Sequence, residues 1–364
     1  MKIFQLIQKP QLRGAEMFAS QLSANLELTG DEVCLISLFP GMAKLPFEGE
    51  KIELNRPIGK RFFDLKGWKQ LAALIKEKQP QVIQANAADT LKFAVFSKLI
   101  FGWNTPIIYR NANKMGDFIK SKFQMFLNRF LVSQTAFVIS VSHECEIDFI
   151  NTFQFPVQKI ATVQVGVEPQ KPGSIPDDLT GIRSHYPILV NVAGFVPEKN
   201  HAGLVRIFSN LIKKFPDAQL ILIGEGRLEA EIKSIIEKEG FKDHVKFLGR
   251  RTDVLEIIKL ADVFVLPSLI EGLPAVLLES MYHKTPVVAY HVGGIAEIVK
   301  AGKTGWLIEK NDEKNFVAAV NEVLEKKEYT DHITGNAFQM VSEEFMNVGI
   351  AGRFRDIYKN FNNE

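Results

Sequence analysis

Short apolar runs alternate with amphipathic segments along the whole chain. In the first half, the apolar runs predict strands at 2–7, 32–38, 81–85, 107–109 and 136–141, with a helix at 15–29. In the second half, they predict strands at 188–192, 219–223, 245–248, 263–266 and 286–289. Amphipathic segments predict helices near 201–214, 228–239, 254–260, 295–300 and 347–360. This alternation indicates an α/β fold with parallel sheets and helices on both faces.

Chain length and a proline-rich stretch both indicate two domains. The 364 residues exceed the size at which a single hydrophobic core usually stops growing. The stretch 169–187 contains four prolines with glycine, serine and aspartate between them, as linkers often do. We predict a Rossmann-like domain at 1–171, a linker at 172–186, a second Rossmann-like domain at 187–345, and a C-terminal helix at 346–364 that crosses back to the first domain. Because ligands bind at the carboxyl ends of parallel strands, we expect a site in a cleft between two facing domains.

Charge is unevenly distributed along the chain. Residues 1–172 carry 21 Lys and Arg against 15 Asp and Glu, a net +6, and the remainder carries −4. An anionic partner is therefore expected at the first half, but the excess is too small for a nucleic-acid partner, and no recognition module is visible. Cys34 and Cys145 have neither metal-ligand nor disulfide spacing, so we expect buried thiols. With no signal-peptide pattern and no run of about 18 apolar residues, we expect a cytoplasmic protein.

A pair of glutamates follows one of the predicted strands. Glu271 and Glu279 have seven residues between them and come after the apolar run 263–266. Pro274 suits the first turn of a helix that begins at Leu273 or Pro274. The N-terminus of that helix would offer N–H groups to a diphosphate, and the two carboxylates can accept hydrogen bonds from sugar hydroxyls. The pattern predicts a site for a sugar nucleotide.

Four stretches in the second half share their order and spacing with a known family. They are Pro267–Met281, Val192–Asn200, Phe247–Val254 with Ala261–Phe264, and His291–Glu297 with Gly302 and Gly305. Together they resemble glycosyltransferase family 4, a family of retaining sugar-nucleotide transferases with the two-domain GT-B fold. Val192–Asn200 is similar to the family's Gly-Arg-x-x-Pro-Glu-Lys-Gly loop.

The resemblance implies roles for particular residues. Glu271 would accept hydrogen bonds from the hydroxyls of the donor sugar, and Glu279 would accept those of the ribose. Lys199 would neutralise the charge that builds up on the leaving diphosphate. Further donor contacts are implied for Gly194, Gly249, Arg250, Arg251, Gly272, Leu273, Pro274, Ala275 and Val276.

The first half contains a weaker part of the resemblance. Arg13-Gly14-Ala15-Glu16 is similar to the family's glycine loop between the first strand and the first helix. Gly14 would let the backbone approach the donor, and Arg13, Glu16, Arg110 and Asn111 would contact the sugar or the acceptor.

The chain departs from the family pattern at two places. Gly194 stands where many members have an arginine, and Arg250, Arg251 or Arg13 could replace that charge. The segment 109–114 has no histidine where the family often has one near the donor sugar, so that Arg110 or Asn111 would take its place.

Other readings of the sequence are less well supported. Gly224-Glu225-Gly226 lacks the third glycine of a dinucleotide fingerprint. The seven histidines have no metal-ligand spacing and are expected in loops or at the surface, so no metal and no cofactor are expected. A GT-B epimerase or phosphorylase remains a rival, as does a nucleotide-sugar-binding partner subunit with little or no turnover.

Apolar residues recur at helical spacing between Phe118 and Leu131, with Lys120, Lys122 and Arg129 among them. A core-facing stripe is the favoured reading of this amphipathic helix. The alternative is a surface that contacts an anionic membrane or a lipid-linked acceptor, to which 60–63 could contribute.

The resemblance thus implies a retaining, metal-independent hexosyltransferase. It would move a sugar from a UDP or GDP sugar to a hydroxyl of a sugar or a lipid-linked sugar, in cell-surface polysaccharide or glycolipid assembly. It would be cytoplasmic or peripheral at the inner face of the membrane.

Overall fold

The computed structural model describes residues 1–169 and 173–361. Close contacts divide the chain into two units. The first unit comprises Met1–Glu168 together with the helix that begins at Asn347, and the second comprises Pro169–Met346. No helix within the described ranges is both long and apolar enough to cross a membrane.

The first unit is a seven-stranded parallel sheet with helices. Its strands are β1 Lys2–Ile7, β2 Glu32–Ser37, β3 Glu50–Glu53, β4 Val82–Ala85, β5 Ile107–Asn111, β6 Phe137–Ser140 and β7 Ile160–Thr162. Its helices are α1 Gly14–Leu28, α2 Leu65–Lys78, α3 Ala88–Phe101, α4 Lys122–Ser133, α5 His143–Phe153 and α13 Asn347–Lys359. The strand order is β3-β2-β1-β4-β5-β6-β7, so the direction of winding reverses between β1 and β4.

The second unit contains a six-stranded parallel sheet. Its strands are β8 Ile188–Val192, β9 Gln219–Ile223, β10 Val245–Phe247, β11 Val263–Leu266, β12 Val287–Tyr290 and β13 Trp306–Ile308. Its helices are α6 His201–Ile212, α7 Glu229–Lys238, α8 Val254–Ile258, α9 Ala275–Tyr282, α10 Ile295–Ile298, α11 Glu313–Glu325 and α12 Lys327–Glu344. The order β10-β9-β8-β11-β12-β13 places the reversal between β8 and β11. The prediction of an α/β fold built from two doubly wound parallel sheets is confirmed.

The C-terminal helix α13 belongs to the first unit. Arg355 forms an ion pair with Asp31 at 2.8 Å. The Tyr358 hydroxyl donates to Gln84 and accepts from Gln5 Nε2 at 3.2 Å, so that α13 is bonded to both β1 and β4. Burial raises the pKa of Tyr358 well above its usual value. The last three residues of the predicted helix, 362–364, lie outside the described residues.

The stretch predicted as a linker packs within the second unit. Its first residue, Pro172, lies outside the described residues. Two short 3₁₀ turns follow, at Asp177–Leu179 and Ile182–Ser184. Both Leu179 and Ile182 are buried, so the part from Asp177 onward is held by apolar contacts.

Helix α4 differs from its prediction in both bounds and orientation. It begins at Lys122, after Ser121, whose hydroxyl accepts from Gln124 N at 3.1 Å and caps it, and a separate 3₁₀ turn covers Met115–Phe118. The core-facing reading is wrong for three of its side chains, because Phe123, Phe126 and Phe130 are 75%, 71% and 37% exposed. The core is contacted instead by the opposite face, which carries Met125, Leu127, Leu131 and Val132.

Candidate active site

The loop after β8 is anchored by Asn200. This residue adopts a left-handed conformation, with φ +54°, which asparagine tolerates better than most residues. Its side-chain oxygen accepts from Gly203 N at 3.2 Å and caps α6. Its side-chain amide donates to the carbonyl of Pro267 at 3.0 Å. Asn200 therefore connects the loop after β8 to the loop after β11.

A second connection brings the two predicted catalytic residues together. Leu269 N and Ile270 N both donate to the carbonyl of Glu198, at 2.8 and 3.4 Å. The result is an ion pair between Lys199 Nζ and Glu271 Oε1 at 2.6 Å, with the Glu271 side chain only 7% exposed. Two residues that are 72 positions apart are thus held at the carboxyl ends of β8 and β11, beside the reversal of winding.

Gly293 packs directly on the backbone of Glu271. Its φ is +53°, and a Cβ there would lie 2.0 Å from the carbonyl oxygen of Glu271. The next residue, Gly294, donates its N–H to the carbonyl of Gly272 at 2.7 Å. Both glycines lie in the stretch His291–Glu297, for which the resemblance implied no individual roles. Only a residue without a Cβ allows this close approach, so Gly293 holds the position of the Glu271 loop.

Helix α9 starts slightly later than predicted. Pro274 has extended backbone angles and precedes the first helical residue, Ala275, so the expected start at Leu273 or Pro274 is wrong by one or two residues. Ala275 and Val276 are the first residues of the helix, and their N–H groups have no carbonyl acceptor within it. The N-terminus of α9 directly follows the loop that contains Glu271, so those N–H groups lie at the end of that loop.

Glu279 lies on α9, as predicted, and its carboxyl group is unusual. The side chain is partly buried and has no ionic or hydrogen-bond partner among the residues that the structure describes. Burial raises its pKa from 4.5 to about 7. A carboxylate in this state has free acceptor capacity for a ligand's hydroxyl groups.

The two arginines after β10 have different surroundings. Arg251 binds both carboxylate oxygens of Asp178 and those of Asp253, at 2.6 to 3.1 Å, and these hydrogen bonds raise its pKa. Arg250 is more exposed and pairs with Glu225 at 2.9 Å. Arg251 is thus already bonded to two carboxylates of the protein, whereas Arg250 is more available to an anionic ligand.

Gly194 and Gly249 are not enclosed by their surroundings. A Cβ on Gly194 would meet only the carbonyl oxygen of Glu225, at an ordinary 3.4 Å, and a Cβ on Gly249 would meet nothing within 4 Å. Gly249 has a left-handed φ of +60°, and its carbonyl accepts from Gly224 N at 2.8 Å. A Cβ atom would therefore fit at position 194.

In the first unit, Arg13 immediately precedes α1, and Gly14 begins it. A Cβ on Gly14 would meet nothing within 4 Å, so the space in front of it is open. Glu16 is buried in the first turn and accepts from Gln11 Nε2 at 2.9 Å, and burial raises its pKa. Asn111 is fully buried and donates to Ser140 Oγ at 3.2 Å and the Cys145 carbonyl at 3.3 Å.

His201 contradicts the expectation that the histidines lie in loops or at the surface. It is buried in the first turn of α6, and its ring stacks on Phe195 with 4.1 Å between centroids. Burial, with a smaller contribution from Lys199, lowers its pKa to about 4. Across residues 1–169 and 173–361, no group of three His, Cys, Asp or Glu residues is arranged to hold a metal ion. Cys34 and Cys145 are both buried, as predicted.

Comparisons with known proteins identify the family of the chain. The family model described as "Glycosyltransferase Family 4" matches residues 12–171, and that described as "Glycosyl transferases group 1" matches residues 178–340. The chain belongs to glycosyltransferase family 4. The predicted family and the GT-B fold are confirmed. The structure of this family 4 chain is similar to the solved structure of HepE from Anabaena in complex with UDP-glucose. The match covers 99% of this chain and 100% of that chain, with a TM-score of 0.84 and 20% sequence identity.

Curated relatives are similar over part of their length. N-acetyl-alpha-D-glucosaminyl L-malate synthase of Bacillus anthracis is 28% identical over 64% of this chain and 61% of its own length. UDP-Gal:alpha-D-GlcNAc-diphosphoundecaprenol alpha-1,3-galactosyltransferase of Escherichia coli is 27% identical over 64% of this chain and 62% of its own length. The family 4 chain therefore matches about three fifths of each relative.

Proposed function

We propose that this protein is a retaining, metal-independent glycosyltransferase that uses a nucleoside diphosphate sugar of the UDP or GDP type. It transfers the sugar to a hydroxyl of a sugar or lipid-linked sugar acceptor, in cell-surface polysaccharide or glycolipid assembly. The observation that carries the proposal is the Lys199–Glu271 pair beside the N-terminus of α9. Both family models and the named activities of the relatives support it.

Each part of the site has a chemical task in this proposal. The free N–H groups at the start of α9 bind the diphosphate, and Glu279 accepts from the ribose hydroxyls. Glu271 accepts from a sugar hydroxyl. Lys199 keeps N–H donors besides the one directed at Glu271, and these stabilise the charge that develops on the leaving diphosphate. No cofactor takes part, and the nucleotide sugar is a co-substrate.

The transfer step requires no nucleophile from the protein. The acceptor oxygen attacks the anomeric carbon on the face from which the diphosphate departs, so that one bond forms as the carbon–oxygen bond to the diphosphate breaks. The acceptor's proton passes to the departing diphosphate. Configuration at the anomeric carbon is thereby retained.

The experiment is a comparison of nucleotide binding and turnover in two variants. Glu271→Ala removes the sugar contact, and we expect loss of transfer with nucleotide affinity largely kept. Glu279→Ala removes the ribose contact, and we expect weaker nucleotide binding. A matched control is Lys326→Met, which breaks an exposed Lys–Glu pair of 2.8 Å elsewhere in the second unit. If both glutamate variants bound and turned over like the parent, the site assignment would be wrong.

The second candidate is a nucleotide-sugar-binding subunit without turnover. It is favoured by Gly194 and by the absence of a histidine in segment 109–114. Purified protein that hydrolyses a bound donor slowly would exclude it. Tight binding of a donor, with no turnover across donors and acceptors, would establish it in place of the transferase.

The exposed face of α4 supports a peripheral contact with an anionic membrane. Three exposed phenylalanines, Phe123, Phe126 and Phe130, lie on that face with Lys122 and Arg129, and α4 contains no acidic residue. Aromatic side chains flanked by cations suit the interface of an anionic bilayer.

Vesicle sedimentation tests this contact. We expect binding to vesicles that contain phosphatidylglycerol, and at least about a tenfold loss of binding on Phe123→Ser with Phe126→Ser, because two aromatic side chains no longer enter the interface. Met42→Ser changes a fully exposed apolar residue of the same unit and serves as the control. Equal binding of all three proteins would refute the contact.

A further inference from the structure

Arg110 is a buried cation with no protein partner for most of its guanidinium. It is the fourth residue of β5 and is only 3% exposed. Within the described part of the chain, neither Nε nor Nη1 has a hydrogen-bond partner. Its guanidinium carbon lies 3.9 Å from the ring centroid of Phe18. Burial lowers its pKa to about 10, so it remains charged at neutral pH.

A partly buried arginine of the same unit shows which contacts Arg110 lacks. Arg56 binds both oxygens of Asp64, at 2.7 and 3.0 Å. A buried charge that lacks such a partner is costly, and the stacking on Phe18 offsets only part of that cost. Arg110 is therefore a desolvated cation whose Nε and Nη1 groups donate no hydrogen bond to any residue that the structure describes.

Arg110 lies against the start of α1. Phe18 is the fifth residue of that helix, and helical side chains tilt towards the N-terminus, so the guanidinium lies near the first turn. The 15-residue helix has no side-chain cap at Arg13, which leaves its first N–H groups available to a ligand. The carboxyl group of Glu16 interacts electrostatically with Arg13 and Lys9, and the guanidinium of Arg110 interacts electrostatically with Glu16.

We propose that Arg110, Arg13 and the N-terminus of α1 form a site for an oxyanion carried by the acceptor. The unused guanidinium donors and the helix N–H groups match a phosphate monoester or a dicarboxylate. The inference rests on the proposed function, since it specifies the acceptor of that reaction. The donor's diphosphate already has its partners at α9 and Lys199, which leaves this second anion site for the acceptor.

Titration calorimetry on the full chain tests the site with three probes. Glycerol 3-phosphate carries a phosphate monoester, malate carries two carboxylates, and glycerol is the neutral control. We expect one of the two anions to bind and glycerol not to bind, and the anion that binds identifies the chemical source. If neither anion binds the parent protein, the proposal is refuted.

Variants assign the binding to these residues. Arg110→Gln should weaken the anion about 10- to 100-fold, and Arg110→Lys should recover part of the loss, as expected when charge-assisted hydrogen bonds are removed and partly restored. Because Arg110→Gln could fail to fold, Arg13→Gln, at an exposed position, provides a second arm with the same direction of change. Lys44→Gln removes an exposed charge of the same unit and should change nothing. Anion affinity that is unaffected by the changes at 110 and 13 would overturn the proposal.

The readouts separate this inference from the proposed function. Donor hydrolysis reports on the transferase, whereas anion binding needs no turnover. Hydrolysis without an Arg110-dependent anion site would refute only the inference. An Arg110-dependent anion site in a protein that never hydrolyses or transfers a donor sugar would refute the transferase, and with it the assignment of the anion to an acceptor, but not the anion site itself.

Discussion

Replacing Gly293 by alanine should displace Glu271 without touching any charged group. The added Cβ would lie 2.0 Å from the carbonyl oxygen of Glu271 and 3.1 Å from that of Gly272. Relief of the shorter contact requires a movement of about 1 Å, because non-bonded carbon and oxygen atoms rarely approach within about 3 Å. The hydrogen bond from Gly294 N to the Gly272 carbonyl would be disturbed by the same movement.

The expected effect of Gly293→Ala has two parts, a loss of stability and a loss of rate, which can be measured separately. A left-handed conformation costs an alanine about 1–2 kcal/mol, which lowers the melting temperature of a unit of this size by about 2–8 °C. Displacement of a catalytic group by about 1 Å can cost about 100-fold in rate. Gly293→Ala should therefore lose both stability and turnover.

Gly240→Ala is the matched control. Gly240 lies in the same unit with φ +80°, and a Cβ there would meet nothing within 4 Å. It should lose stability to a similar degree and keep its rate. Thermal unfolding measures the stability of the two variants, and donor hydrolysis measures their kcat/KM. Equal kcat/KM in the two variants would refute the argument that Gly293 positions Glu271.

Three further predictions concern single side chains. Because the pKa of Glu279 is raised from 4.5 to about 7, the contribution of Glu279 to the free energy of unfolding should be largest below pH 4.5 and fall by up to about 3 kcal/mol as the pH rises towards 7; the difference in free energy of unfolding between the parent and Glu279→Gln, measured across pH, should show this fall. Gly194→Arg has room for its Cβ and should raise kcat/KM for the donor about tenfold, since an arginine beside Lys199 adds a phosphate contact; an unchanged value would argue against diphosphate binding at this loop. Tyr358→Phe leaves Gln5 Nε2 and Gln84 Oε1 without the hydroxyl that they bind, while both side chains keep their bonds to Asn86, and it should lower the free energy of unfolding by about 1–3 kcal/mol in a urea titration.

The sequence by itself determined the family and ten of the thirteen strands that the structure describes, and it missed the short strands β3, β7 and β13. Strands β1, β8, β9 and β11 have the bounds that the apolar runs predicted, because a buried parallel strand is a short continuous run of apolar residues ended by turn residues. The same local signal located Lys199, Glu271 and Glu279 in motifs of recognisable order.

The sequence could not show how those motifs meet. The Lys199–Glu271 ion pair depends on Asn200 reaching Pro267 and on Glu198 accepting two N–H groups, which are contacts between loops about 70 residues apart. The close approach of Gly293 to Glu271 is likewise a property of packing between two loops. Such contacts follow from strand order, which places β8 beside β11, and no local pattern encodes them.

Only the tertiary structure decided which surfaces of the first unit are available. Helix α4 has apolar residues on two faces, so its periodicity cannot show which face is buried; packing against the core uses the face with Leu131 and leaves Phe123 and Phe126 exposed. The resemblance implied a sugar or acceptor contact for Arg110, but the sequence could not show that its side chain is buried without a bonded carboxylate in the ranges 1–169 and 173–361. Whether a cation has a partner depends on what the fold places around it, and here the fold surrounds it with Phe18 and with no carboxylate bonded to it among the described residues.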